Sequence, residues 1–261
     1  MAKPDTTTTP TTTTTTTTAN HALPSLHNPQ KNNKQQPQLM MNLPGTREED
    51  CFGWTFDSIE EITTPHAAQQ YLQSQVRIRR FDIDSLIRQP RGVGRLAWLY
   101  EHMRQVCIEL GFYISLLRKE CTESRCPVMR AGEATYYCAG HGHPRPCSAI
   151  GYAVHTIDYA VQQLSGSSSS SLLATIDAEE NQINPGGESL SLKHFQSMVR
   201  RLYRIFAHAY FHHRDLFEQQ ESATYLYARF VRLARKYELT PESLVTIPDL
   251  PAAVAAASVA S

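Results

Sequence analysis

The sequence predicts an all-helical bundle carrying one short β-hairpin. Three observations support this: apolar residues recur at helical spacing in three long stripes, only one segment alternates like a strand, and the biased segments fall outside the stripes. The first stripe, Leu96, Leu99, Met103, Val106, Leu110, Tyr113 and Leu117, follows a three-four alternation that lines one face of a long helix. Phe195, Val199, Leu202, Phe206 and Ala209 form the second. Leu226, Phe230, Leu233 and Tyr237 form the third, ahead of the stop signal Thr240-Pro241. Shorter helices are expected over Pro65–Arg77 and Ile150–Leu164, and the hairpin over Thr135–Cys138 leading into the turn-rich Gly140–Pro146. No internal repeat is visible.

Composition sets the outer limits. The chain has 261 residues with 25 basic and 25 acidic side chains, so its balanced charge argues against a protein that coats nucleic acid or an anionic membrane. No run reaches the roughly 18 apolar residues of a membrane span, and Met1–Asn20 lacks the apolar segment of a secretory signal. A cytosolic or nuclear chain follows, in which the six cysteines are read as thiols or metal ligands.

Domain boundaries follow from bias. Residues 1–50, with the threonine tract Thr6–Thr18 and a Pro, Asn and Gln-rich stretch to Pro37, offer little apolar surface to offset the entropy of ordering and are expected to be a disordered tail. Residues 51–248 form the helical domain. Within it, 165–188, with the serine run Ser165–Ser171 and Pro185-Gly186-Gly187, reads as a long inserted loop in which Leu172, Leu173 and Ile176 could pack locally. Residues 249–261 are expected to be a flexible alanine-rich tail.

Two groups of metal-ligand residue types stand out. Cys121 and Cys126 follow the long helix at a short spacing that zinc sites use, and the run His208-Ala209-Tyr210-Phe211-His212-His213 offers imidazoles near another helix end. Two sulfurs and two nitrogens would close a tetrahedron. Such a site is structural, because no position remains for water or substrate. On an unbroken helix a step of four residues turns about 40° and a step of five about 140°, so spacing pairs His208 with His212. Cys138, His141, His143 and Cys147 compete, although Pro144 and Pro146 stiffen that segment. Arg200, Arg201 and Arg204 share a helix face, either as a solvated surface or as forked donors for phosphate or carboxylate. A second basic set, Arg229, Arg232, Arg235 and Lys236, reads as material for intramolecular pairing with Asp215, Glu218 and Glu221.

Four segments in order, Ala67–Arg77, Tyr100–Leu110, Cys121–Met129 and Arg200–Arg214, resemble the Mob family, in wording nearest its phocein branch, and the likeness spans about 52–248. The resemblance implies a Mob-type helical bundle with a structural zinc staple held by Cys121, Cys126, His208 and His213, with His212 as the second choice for the last position. Choosing His213 requires the helix to break after His208. The resemblance further implies a non-enzymatic adaptor within a striatin-centred assembly of protein phosphatase 2A and germinal-centre kinases, in the cytoplasm and peripheral to Golgi or endosomal membranes. It also implies that Arg200, Arg201 and Arg204 receive phosphothreonine-containing segments. The loop interior Thr122–Arg125 is closer to the kinase-activating branch, which leaves activation of an NDR-type kinase as the alternative. A zinc hydrolase ranks below both, because no H-E-x-x-H, G-x-S-x-G or phosphate-cradling glycine loop is present. The threonine-rich tail and the 165–188 insertion have no counterpart in the family pattern.

Overall fold

The computed structural model describes residues 40–166, 171–181 and 189–249. Among them, α1 (Ala67–Arg79), the short α2 (Ile83–Leu86) and the long α3 (Arg95–Leu117) precede the hairpin β1 (Arg130–Ala131) and β2 (Ala134–Thr135). Then come α4 (Ala149–Ser165), α5 (Leu172–Asn181), α6 (Leu190–His212), α7 (Arg214–Thr224) and α8 (Leu226–Lys236). All three apolar stripes are buried. Helix α3 is the axis of the bundle, packed against α1, α4, α5, α6 and α8.

The expected hairpin forms one step earlier in the chain. Arg130 pairs with Thr135 and Ala131 with Ala134, closed by Gly132 at positive φ. Of the segment expected to be extended, Cys138 instead pairs with Arg145, through backbone bonds of 2.8 and 3.1 Å that close a second turn. Pro144 and Pro146 flank Arg145, and a proline has no N–H to extend the ladder.

Two biased segments contain more structure than composition implies. Residues 40–50 lie in the expected tail, yet the Met40 carbonyl accepts from Gln70 Nε2 at 3.3 Å and Asn42 Oδ1 accepts from the Phe52 N–H at 2.9 Å. The neighbouring 51–56 stretch docks on α1 similarly, with Ser74 Oγ accepting from the Phe56 N–H and Gln75 Nε2 donating to the Phe56 carbonyl. Buried polar residues on α1 thus satisfy a strand-like segment laid beside it. The rest of the tail, with Thr6–Thr18, lies outside the described residues, as does 250–261.

Inside the 165–188 segment, read above as a loop, α5 buries Leu172 and Ile176 against α3, α4 and α6. Its last turn caps two other helices. Glu180 Oε1 accepts from the Leu96 and Ala97 N–H groups at the start of α3, at 2.8 and 3.2 Å. Glu179 Oε1 accepts from Leu190 and Ser191 at the start of α6, at 2.7 and 3.1 Å. A carboxylate at these positions satisfies orphan donors and complements the helix dipole. Gly94, the N-cap of α3, leaves room for this, since a Cβ there would lie 2.0 Å from the Glu180 carboxylate. Residues 167–170 and 182–188 lie outside the description.

The second basic set does pair within the chain, with partners other than Asp215, Glu218 and Glu221. Arg229 meets Glu109 at 2.6 Å, Arg232 meets Asp84, Arg235 meets Glu242 and Asp249, and Lys236 donates to the Ile87 carbonyl. Glu218 binds Arg214 instead. Glu221 accepts from the Tyr227 and Ala228 N–H groups and so caps α8 after the left-handed Tyr225.

Candidate metal centre and basic cleft

Cys121 follows α3 directly, and its N–H bonds to the Leu117 carbonyl as the helix unwinds. The next turn closes through Cys126 N–H to Thr122 C=O, which returns Cys126 toward the same point. On the opposite side, α6 stops at His212. His213 leaves helical geometry with φ −140 and ψ 53, serving at once as C-cap of α6 and N-cap of α7. That break swings the His213 ring back beside His208, at a centroid distance of 5.2 Å, and buries it. His212 stays exposed.

The ligand atoms of Cys121, Cys126, His208 and His213 all lie within 4.8 Å of one another. Cys121 Sγ stands 3.4 Å from His208 Nε2, and Cys126 Sγ stands 3.5 Å from His213 Nε2. Metal bonds of about 2.3 Å to sulfur and 2.0 Å to nitrogen, at the tetrahedral angle, separate S from N by about 3.5 Å. The four residues therefore have the dimensions of a tetrahedral site that could hold a metal ion.

The surroundings orient the ligands. His208 donates Nδ1–H to the Arg130 carbonyl of β1 at 2.7 Å, which directs the Nε2 lone pair into the site. His213 Nδ1 faces Glu120 Oε2 at 3.7 Å. Burial pushes the Cys121 thiol up to about 12, with Cys126 adding to the rise, and draws His208 down to about 4. Burial also lowers His213. These shifts favour the neutral forms of Cys121, His208 and His213, and a divalent cation with two thiolates is neutral as well.

Arg200, Arg201 and Arg204 line a cleft of about 510 Å³ between α4 and α6, shared with Tyr137, Tyr152 and Tyr159. Its lining includes no aspartate or glutamate. Arg204 donates to the Tyr152 hydroxyl at 2.8 Å and lies over the Tyr136 ring at 4.5 Å. Arg201 lies over Tyr159 at 4.8 Å, while Arg200 is exposed at the rim. The aromatic faces hold two guanidiniums half-buried without neutralising them.

The sequence profile described as "Mob1/phocein family" matches residues 75–247. The chain belongs to the Mob1/phocein family. Two relatives, "MOB kinase activator-like 4" of Drosophila melanogaster and "MOB-like protein phocein" of Caenorhabditis elegans, are each 35% identical over 80% of this chain and 90% of their own length. "MOB kinase activator-like 3" of Drosophila melanogaster is 26% identical over 57% of this chain and 63% of its own.

Within this Mob chain the four residues mapped from the family meet at one point, and the Arg trio meets at another. The competing group is altered. His143 is exposed within the turn closed by Cys138 and Arg145, and His155 of α4 takes its place in the group, so that Cys138, His141, Cys147 and His155 converge. Tyr136, Tyr152 and Tyr159, which orient the arginines, carried no readable signal, because Tyr136 falls in the expected hairpin and Tyr152 and Tyr159 in the expected Ile150–Leu164 helix, where a tyrosine is an ordinary packing residue. Among the described residues, no helix is long and apolar enough to cross a membrane.

Proposed function

We propose that this Mob protein is a non-catalytic adaptor whose bundle is fastened by zinc at Cys121, Cys126, His208 and His213, and whose Arg200, Arg201 and Arg204 cleft receives phosphothreonine segments of partner proteins. The observation that carries the reading is the cleft: three arginines, two of them seated on aromatic faces, in a lining with no acidic residue. Forked guanidiniums suit a phosphate dianion, and partial desolvation strengthens each charge-assisted bond. The S2N2 quartet supports a structural metal, because four protein ligands complete the tetrahedron. Zinc there would tie the end of α3 to the α6–α7 break, joining residues 87 positions apart in the chain.

Calorimetric titration of the full chain with matched phosphothreonine and unmodified peptides tests the cleft. Arg200→Ala and Arg201→Ala are the informative variants, because Arg204 also holds Tyr152. Each should weaken phosphopeptide binding by about tenfold or more, from the loss of charge-assisted bonds worth about 1.5–3 kcal/mol. Affinity should also fall with salt. Equal affinity for the two peptides would defeat the reading.

The partner set, a striatin-like scaffold with protein phosphatase 2A and germinal-centre kinases, extends the family resemblance to this chain. Relatives whose names carry "kinase activator" support the second reading, in which an NDR-type kinase is bound. Affinity capture of the full chain with mass-spectrometric identification separates them. Scaffold and phosphatase subunits favour the first, and an NDR-type kinase without them favours the second.

A further inference from the structure

We propose that Cys138, His141, Cys147 and His155 form a second tetrahedral site for zinc, which pins the 138–147 turn to α4 as one wall of the basic cleft. The four ligand atoms lie within 4.8 Å of one another, the same compactness as the first quartet. Cys138 Sγ is 3.5 Å and Cys147 Sγ 3.9 Å from His155 Nδ1, at and within a few tenths of an ångström of the sulfur–nitrogen edge of about 3.5 Å in a zinc tetrahedron. His141 Nε2 approaches Cys147 Sγ at 2.7 Å, inside that edge, so the imidazole moves outward as an ion enters.

The chain is arranged to bring these residues together. The Cys138–Arg145 backbone pair closes a turn that places Cys138 and Cys147 at its base and folds His141 back over them. The first turns of α4 deliver His155 from the other side, and its ring meets that of His141 at 4.6 Å in an edge-to-face arrangement. Close approach of the turn to α4 depends on Gly140, where a Cβ would lie 3.1 Å from His155 Cβ and 3.5 Å from Cys138 Sγ. The Gly140 N–H points at Cys138 Sγ at 3.4 Å, the kind of donor that supports a thiolate. Arg145 Nη2 sits 3.1 Å from His141 Nδ1, and this exposed arginine gives up the contact when His141 binds through Nε2 and carries its proton on Nδ1.

Two cysteines and two histidines favour zinc over hard cations, which prefer oxygen ligands. The site is closed and therefore architectural. Cys138, Gly140 and His155 line the same cleft as the three arginines, so the ion would hold the wall that faces them. That consequence rests on the proposed role of the cleft, whereas the metal site does not.

Zinc is counted by elemental analysis on the full chain, purified under reducing conditions and reloaded with zinc alone. Two ions per chain are expected in the wild type and one in Cys147→Ser, His155→Ala and Cys126→Ser. If Cys126→Ser does not fold, cobalt(II) titration of the wild-type chain gives the same count, with thiolate-to-cobalt absorption saturating at two equivalents. One zinc per wild-type chain, saturation at one equivalent, or a Cys138–Cys147 disulfide in the reloaded protein would overturn the second site. Failure of phosphopeptide binding with two ions present would overturn the cleft reading alone.

Discussion

Glu109→Leu should destabilise the bundle more than Arg229→Met, although both break the same ion pair. The Arg229 side chain is 0% exposed, and its Nη2 lies 2.6 Å from Glu109 Oε1. Gln105 Nε2 donates to that same oxygen at 2.7 Å, so the carboxylate keeps a partner when the arginine is removed. The reverse does not hold, because Arg229 Nε and Nη1 make no hydrogen bond among the described residues. Glu109, with its side chain 16% exposed, also retains a path to water. Removing one partner of a buried pair costs about 3–5 kcal/mol when the survivor stays dry, which gives the expectation for Glu109→Leu. Arg229→Met should cost about 1.5–3 kcal/mol, the worth of a hydrogen bond between charged groups. The double variant should cost less than the sum, with a coupling of about 2 kcal/mol or more. Urea unfolding of the zinc-loaded protein followed by circular dichroism measures all four species, provided that the slope with denaturant stays constant. Additive single-variant costs, or a loss below about 1 kcal/mol for Glu109→Leu, would refute the reasoning by showing that the guanidinium finds solvent.

Two further outcomes follow from the caps. Glu179→Ala and Glu180→Ala should each lower stability by about 0.5–2 kcal/mol in urea unfolding, whereas Glu180→Gln should recover part of the loss and reduce its salt dependence. No change in either alanine variant would mean that α5 is peripheral to the bundle. Burial pushes Glu221 up to about 7, against the lowering by its bonds from Ala228 and Tyr227 N–H and by Arg229. A raised carboxyl contributes stability below its unfolded value of 4.5 and loses it as pH rises through about 7. The stability of the wild type relative to Glu221→Gln should therefore increase by about 3 kcal/mol as pH falls from 7 to 4.5. A pH-independent difference between the two would contradict the assigned shift.

Helix existence was legible because periodicity records burial directly: every residue of the Leu96–Leu117, Phe195–Ala209 and Leu226–Tyr237 stripes is in the core. The family was legible for the same local reason, since its matching segments are contiguous strings. The helix break at His213 was inferable only through that family. Intrinsic spacing favours His212, and the packing of α7 against α6 turns His213 inward. Composition misjudged 165–188, because serine and glycine describe its flanks while α5 is held by Leu172, Ile176 and two capping glutamates whose partners lie far along the chain.

The sequence by itself determined the helical class, the two ligand-rich loops and the Arg200, Arg201 and Arg204 face, because each depends on residues within a few turns of one another. Only the tertiary structure decided that His155 replaces His143, that Arg229 pairs with Glu109, and that the arginines are seated on Tyr136 and Tyr159. Those choices depend on which helix faces meet across the bundle. Sequence spacing carries no record of that, since a side chain on α4 or α8 has the same local preferences whichever neighbour it packs against.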